Sequence, residues 1–155
     1  MVVNGDTSKK PSDASLPSPP ERLIFFVDRC LGRKVIPDGL RAAGEEVRIH
    51  DDHFPQDAKD EAWLTEVGKN GWVVLTKDKH IRYRVSEIQA LHAAKVRAFV
   101  LTSRGDLNAT EVSQIFVKAM PAIKRLCEKT APPFIALVDR GGNLRLAPGA
   151  RPEGK

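Results

Sequence analysis

Residues 71–80, GWVVLTKDKH, constrain this chain more than any other stretch of it. Val73 to Thr76 are apolar or β-branched, and Asn70-Gly71 just before them stops whatever helix precedes. A short apolar run bounded by turn signals reads as a strand buried on both faces of a parallel sheet. Its far end delivers Lys77, Asp78 and Lys79. In an open α/β sheet, ligands bind just past the carboxyl ends of the strands, so Asp78 stands where a site would be. The plainer alternative is that Asp78 caps the next helix. An earlier strand that ends the same way favours the site.

That earlier strand is Leu23 to Val27, apolar on both faces and ending at Asp28. A helix follows from about Lys34–Ile36 to Ala43, with Val35, Ile36 and Leu40 on its inner face. Pro37 is tolerated there only in the first turn, and Gly44 is the stop. Glu46 to His50 alternates, as a partly exposed strand does, and Asp51-Asp52-His53 follow. Asp57 has the spacing of an N-cap for a helix running through Trp63, Leu64 and Val67 to Gly68. Past residue 80, Val85 to Lys95 reads as an amphipathic helix with Ile88 and Leu91 inward, and Ala98 to Thr102 as a buried strand. Asn108 caps a helix over 109–129 that Pro121 is expected to bend or interrupt. Phe134 to Val138 is a further strand, and a turn at 139–143 leads to an antiparallel edge strand, Leu144 to Leu146. Strands alternating with helices make a three-layer α/β/α domain with a mainly parallel central sheet. There is no internal repeat.

The boundaries follow from composition. Residues 1–20 hold Ser, Lys, Asp and several prolines with few apolar side chains, so they read as a disordered leader. Residues 21–148 form the domain, and 149–155 a frayed tail. A chain of 155 residues suffices for one core and not comfortably for two. Lys and Arg (25) exceed Asp and Glu (20), a net charge of +5 that suits a polyanionic partner. Cys30 and Cys127 lie far apart, which signals neither a zinc site nor a disulfide framework and fits a reducing cytoplasm. No run reaches the length of a membrane span, and the first residues lack the apolar core of a secretory signal.

Asp28, Asp51-Asp52 and Asp78 each follow a strand, and Asp60-Glu61 open a helix between two of them. The strands of a parallel sheet end on one side, so these acids converge on one edge. Carboxylates brought together raise one another's pKa unless a cation neutralises them. The natural occupant is Mg²⁺ or Mn²⁺, which takes oxygen ligands and keeps waters. Such an ion can polarise a phosphodiester and generate hydroxide. Lys34, Lys77, Lys79, Arg82 and Arg84 surround the same edge and suit a phosphate chain guided to a metal. Each residue also has a structural role open to it. Asp60 fits the reciprocal half of a helix cap, Glu61 favours the helix dipole, and of the Asp51-Asp52 pair Asp52 is the better site candidate. His50, His53 and His80 match no zinc spacing and read as structural or solvated. Trp63 and Trp72 read as core. Arg82-Tyr83-Arg84 fits either nucleic-acid contact or a solvated helix start.

The series Phe25-Phe26-Val27-Asp28, Gly44, Asp60-Glu61-x-Trp63-Leu64 and Gly71 to Lys79 resembles the PIN-like domain family, in its short VapC-like branch of bacterial toxin ribonucleases. The resemblance spans Leu23 to Leu101, and Thr76-Lys77-Asp78 is its most specific part. It implies an Mg²⁺- or Mn²⁺-dependent endoribonuclease acting on RNA and held by an antitoxin protein. Asp28, Asp60 and Asp78 then match the acidic, metal-binding positions, with Glu61 a further catalytic candidate. Related chains often carry an acid where this one has Arg29, and another where it has His80. Those departures keep a second reading open, a catalytically silent module that binds RNA or protein. A third is a receiver-type phosphoacceptor, which needs a Lys directly after the last parallel strand; here Asp139-Arg140 stand there. Many small nucleases form a homodimer, though no stripe in this sequence demands one.

Overall fold

A computed structural model describes residues 23–55, 57–78, 84–102 and 107–147. Strand β1 (Ile24–Val27) leads through a single 3₁₀ turn to α1 (Val35–Ala42) and β2 (Glu46–Ile49). A short helix α2 (His50–His53) and then α3 (Asp60–Asn70) precede β3 (Val73–Thr76). Helix α4 (Val85–Ala93), β4 (Arg97–Leu101), the long α5 (Ala109–Lys129), β5 (Phe134–Val138) and β6 (Leu144–Leu146) complete the order. The sheet runs β2-β1-β3-β4-β5-β6 and is parallel except for the antiparallel β5–β6 pair at its edge. The three-layer α/β/α architecture expected from the sequence is the one observed.

Alternation along each strand builds two cores. Phe25, Val27, Val73, Leu75, Phe99 and Leu101 face one side and pack under α1 and α5 through Ile36, Leu40, Phe116 and Ile123. Phe26, Val74, Ala98, Val100, Ile135 and Leu137 face the other, against Trp63, Leu64 and Val67 of α3 and Leu91 of α4. Both faces are dry, which is why the strands read as unbroken apolar runs. Gly71 ends α3 at φ +71°, a left-handed cap that a side chain would strain, and releases the chain directly into β3.

Several local expectations are corrected. Val35 is 47% exposed, and Pro37 is buried with Ile36 and Leu40 instead. At about 100° per residue those three centre on one arc, from which Val35 is turned by roughly 150°. Asp57 lies in a turn, not at a cap: α3 begins at Asp60 with Lys59 as its uncapped N-terminal residue. His50 opens α2 and does not close the preceding strand. Pro121 lies inside α5 without ending it, on the exposed side, where water can satisfy the carbonyl it cannot reach. The α5 start is as expected, a reciprocal capping box between Asn108 and Glu111. Among the described residues, no helix is long and apolar enough to cross a membrane. The leader and tail assigned from composition fall outside the described residues, as do Lys79, His80 and Arg82.

Candidate active site

The strand order reverses at β1: β2 lies on one side of it and β3 on the other. Loops leaving β1 and β3 in opposite directions open a crevice at their carboxyl ends. Asp28 is the first residue past β1, and its N–H donates to Leu75 O of β3 at 3.0 Å. The residue is only 7% exposed. The Thr76 hydroxyl, fully buried at the end of β3, donates to Asp28 Oδ2 at 2.7 Å. The same hydroxyl accepts from the Asp78 N–H at 2.9 Å. One threonine therefore ties the loop after β3 to the acid after β1.

Asp60 enters from α3. Trp63, one turn on, donates its indole N–H to Asp60 Oδ1 at 2.8 Å, and its ring stacks on Phe26 of β1 with centroids 5.4 Å apart. The core thus fixes Asp60 over the end of β1. Burial chiefly, and the Asp60 charge in addition, push the Asp28 carboxyl above its ordinary pKa, against the hydrogen bonds from Thr76 and Cys30. Cys30 is an exposed residue whose thiol turns inward, 3.5 Å from Asp28 Oδ2 and 3.3 Å from Thr76 Oγ1. Burial and then the Asp28 charge push that thiol up to about 11, so it remains a neutral donor and not a thiolate nucleophile.

A further acid belongs to the group, and the sequence reading passed over it. Glu87 of α4 is 5% exposed, accepts from Arg84 at 3.1 Å and lies against Asp60. Among the described residues its Oε1 has no donor when both acids are ionised, whereas one proton between Glu87 and Asp60 makes a hydrogen bond. Burial first, and that contact with Asp60 second, push Glu87 up to about 7. The signal was present in its position: Glu87 precedes Leu91 by four residues and so shares the inner stripe of α4.

A carboxyl whose folded pKa is raised stabilises the fold fully below its unfolded value near 4.5, and the contribution is lost as pH rises through about 7. In metal-free protein, Glu87→Gln is expected to reduce the decline in unfolding free energy between pH 4.5 and 7, read by urea titration. An unchanged decline would show that Glu87 ionises as freely as in water.

The other candidates are placed less tightly. Asp78 is half-buried, and Arg84 lies close enough to feel its charge as well as that of Asp60. Glu61 is drawn to Ser86 at the start of α4, a hydrogen bond that holds its carboxyl below the usual range. Lys34 and Lys77 are exposed. Of the two acids after β2, Asp52 is exposed, while Asp51 pairs with Arg33 at 3.3 Å.

Among the described residues, no three His, Cys, Asp or Glu side chains form a ready-made cation cage. The donor chemistry nonetheless fits a hard divalent ion. Mg²⁺ is commonly held by one or two carboxylates with the rest of its octahedron filled by water. Asp28 and Asp60 are two carboxylates whose mutual repulsion such an ion would relieve.

Comparison with known proteins bears on this rim. A family model described as "PIN like domain" matches residues 23–103, a span that contains Asp28, Asp60, Thr76, Asp78 and Glu87. A Mycobacterium tuberculosis (strain ATCC 25618 / H37Rv) protein named "Putative ribonuclease VapC45" is 29% identical over 112 residues, covering 70% of this chain and 80% of the relative. No solved structure matches the chain.

Proposed function

The chain belongs to the PIN-like domain family, and on that footing we propose that it is an Mg²⁺- or Mn²⁺-dependent endoribonuclease, the toxin of a toxin–antitoxin pair. The observation that carries the reading is the buried Asp28 carboxylate at the reversal of strand order, with Asp60 near enough to raise its pKa. Buried like charges at a strand-end crevice mark a site and do not help the fold. The likeness to a relative whose name specifies a ribonuclease supports hydrolysis of RNA.

Asp28, Asp60 and Asp78 hold the ion in this reading, with Glu61 and Glu87 around them. Bound there, a divalent ion supplies Lewis-acid polarisation of the phosphodiester and a water of lowered pKa. Thr76 fixes the Asp28 carboxylate by one oxygen, and Trp63 does the same for Asp60, so both reach the substrate preset. Glu87 is the group suited to hold a proton near neutral pH. Lys34, Lys77 and Arg84, with Lys79 and Arg82 from the sequence, attract the RNA backbone to the rim. The chain works in the cytoplasm on this reading, with residues 21–148 as the nuclease domain and an antitoxin protein as its partner.

Incubating the purified chain with RNA tests the reaction. Cleavage is expected with Mg²⁺ or Mn²⁺ and none in EDTA. RNA left intact with either ion, or cut equally well in EDTA, would contradict it.

A further inference from the structure

The start of α4 carries a residue that does nothing for its helix. Arg84 is the N-cap, makes no side-chain cap hydrogen bond, and is a cation at the end where the helix dipole favours an anion. Its guanidinium instead turns back over the first turn, donating from Nη1 to Glu87 Oε2 at 3.1 Å, and it lies close enough to Asp78 and Asp60 to feel both charges. Glu87 is buried, while the Arg84 side chain stays 53% exposed. A guanidinium carries five N–H donors in a rigid fork. With one of them given to Glu87 and half of the side chain open to water, the fork retains donors for a ligand at the acidic rim.

What holds Glu87 also fixes the direction of that fork. Glu87 lies against Asp60 of α3, and Ser86 beside it is hydrogen-bonded to Glu61 of the same helix. At their other ends the two helices pack so closely that a side-chain carbon at Gly68 would collide with Ala94. The first turns of α3 and α4 therefore form one rigid support, to which a charge-assisted bond ties Arg84. That bond uses Oε2 of Glu87 and leaves Oε1 for the proton shared with Asp60. Lys34 and Lys77 are exposed and attract an RNA backbone as point charges, whereas the Arg84 fork is aimed.

We propose that Arg84 is a catalytic residue that clamps the scissile phosphate, its guanidinium donating to the two non-bridging oxygens while Glu87 holds it from behind as a positioning residue. Two N–H groups of the fork match two oxygens of a phosphate. The charge of the transition state is spread over those oxygens, and a donor aimed there in advance stabilises it more than it stabilises the bound substrate. A phosphate approaching Asp28, Asp60 and Asp78 also needs cationic help against their repulsion, which an arginine tethered beside two of them supplies. The clamp rests on the nuclease reading for its substrate and on the tethered fork alone for its affinity toward phosphate.

The test titrates the full chain in Mg²⁺ with inorganic phosphate, following the Arg84 Nε–H resonance by NMR, and fits initial rates on RNA for kcat and KM. Phosphate is expected to shift that resonance in the wild type and to shift it less in Glu87→Leu. Arg84→Gln is expected to lower kcat by about 10²-fold and to raise KM far less. Arg84→Lys keeps the charge without the fork and is expected to recover little of that loss. Glu87→Leu is expected to lower kcat by about tenfold in the wild type, most of that loss disappearing in Arg84→Gln. Arg84 is exposed, so its variants report even where Glu87→Leu fails to fold. An Arg84 resonance that phosphate leaves unmoved overturns the clamp, whatever the chain does to RNA. So does Arg84→Gln with wild-type kcat and a raised KM, or full recovery in Arg84→Lys. A Glu87→Leu loss undiminished in Arg84→Gln overturns the positioning role of Glu87. The expected phosphate shifts in a chain that cuts no RNA support the clamp and sink the nuclease reading.

Discussion

Replacing Asp28 by Asn is expected to slow metal-dependent RNA cleavage by ~10²–10³-fold and to leave the protein folded and no less stable. The first part follows from what a Lewis-acid ion contributes, several kcal/mol of transition-state charge stabilisation, at about 1.4 kcal/mol per factor of ten. The second follows from the direction of the Asp28 shift. Burial raises that carboxyl, so its ionised form opposes folding, and its contribution to stability falls as pH rises through the folded pKa. Asn removes the buried charge and can still accept the Thr76 hydroxyl through its amide oxygen. A residue retained for packing would show the reverse, with stability lost and activity spared. Initial rates on RNA and a thermal melt of the same preparation separate the two, and undiminished cleavage by the variant would refute the assignment.

Thr76→Val is expected to behave differently, losing ~10–100-fold in activity together with about 1–3 kcal/mol of stability. Val matches Thr in shape, so no cavity opens; only the hydroxyl goes. That hydroxyl is fully buried, donates to Asp28, accepts from the Asp78 N–H and also meets the Cys30 thiol. Without it, the buried Asp28 carboxylate loses its hydroxyl donor and keeps the weak thiol of Cys30 and the backbone N–H of Arg29, and the loop after β3 loses its tie. The activity lost measures how far the orientation of Asp28 matters. Urea unfolding and cleavage rates at saturating Mn²⁺ read the two effects. An active variant that is merely destabilised would assign Thr76 to packing alone.

Much of the fold was legible because the sheet is buried on both faces. Leu23–Val27, Val73–Thr76 and Phe134–Val138 carry no polar residue facing water, so burial and β-propensity point the same way. Asp28 and Asp78 were legible for a related reason: they are the first acids after such runs, and strand ends are where a parallel sheet presents its site. What escaped depends on tertiary contact. Glu87 is an acid on an apolar stripe, and only the approach of Asp60 and Arg84 from neighbouring elements explains it. Trp63 read as core and is core, yet its indole N–H also positions Asp60, a role set by direction and not by burial. His50 matched no metal spacing, and nothing in its neighbours announced a ring enclosed by three aromatics. Asp57 has the spacing of a cap, but the chain turns first and α3 starts three residues later.

In the proposed function Asp28 and Asp60, distant in sequence, share one divalent ion at the rim of the sheet. Mn²⁺ titrated into metal-free protein, with the unbound ion counted by electron paramagnetic resonance, addresses that directly. Wild-type protein is expected to take up Mn²⁺, with Asp28→Asn and Asp60→Asn each weakening uptake by about tenfold or more while circular dichroism stays unchanged. Folded Asp28→Asn and Asp60→Asn proteins that bind Mn²⁺ as the wild type does would contradict it.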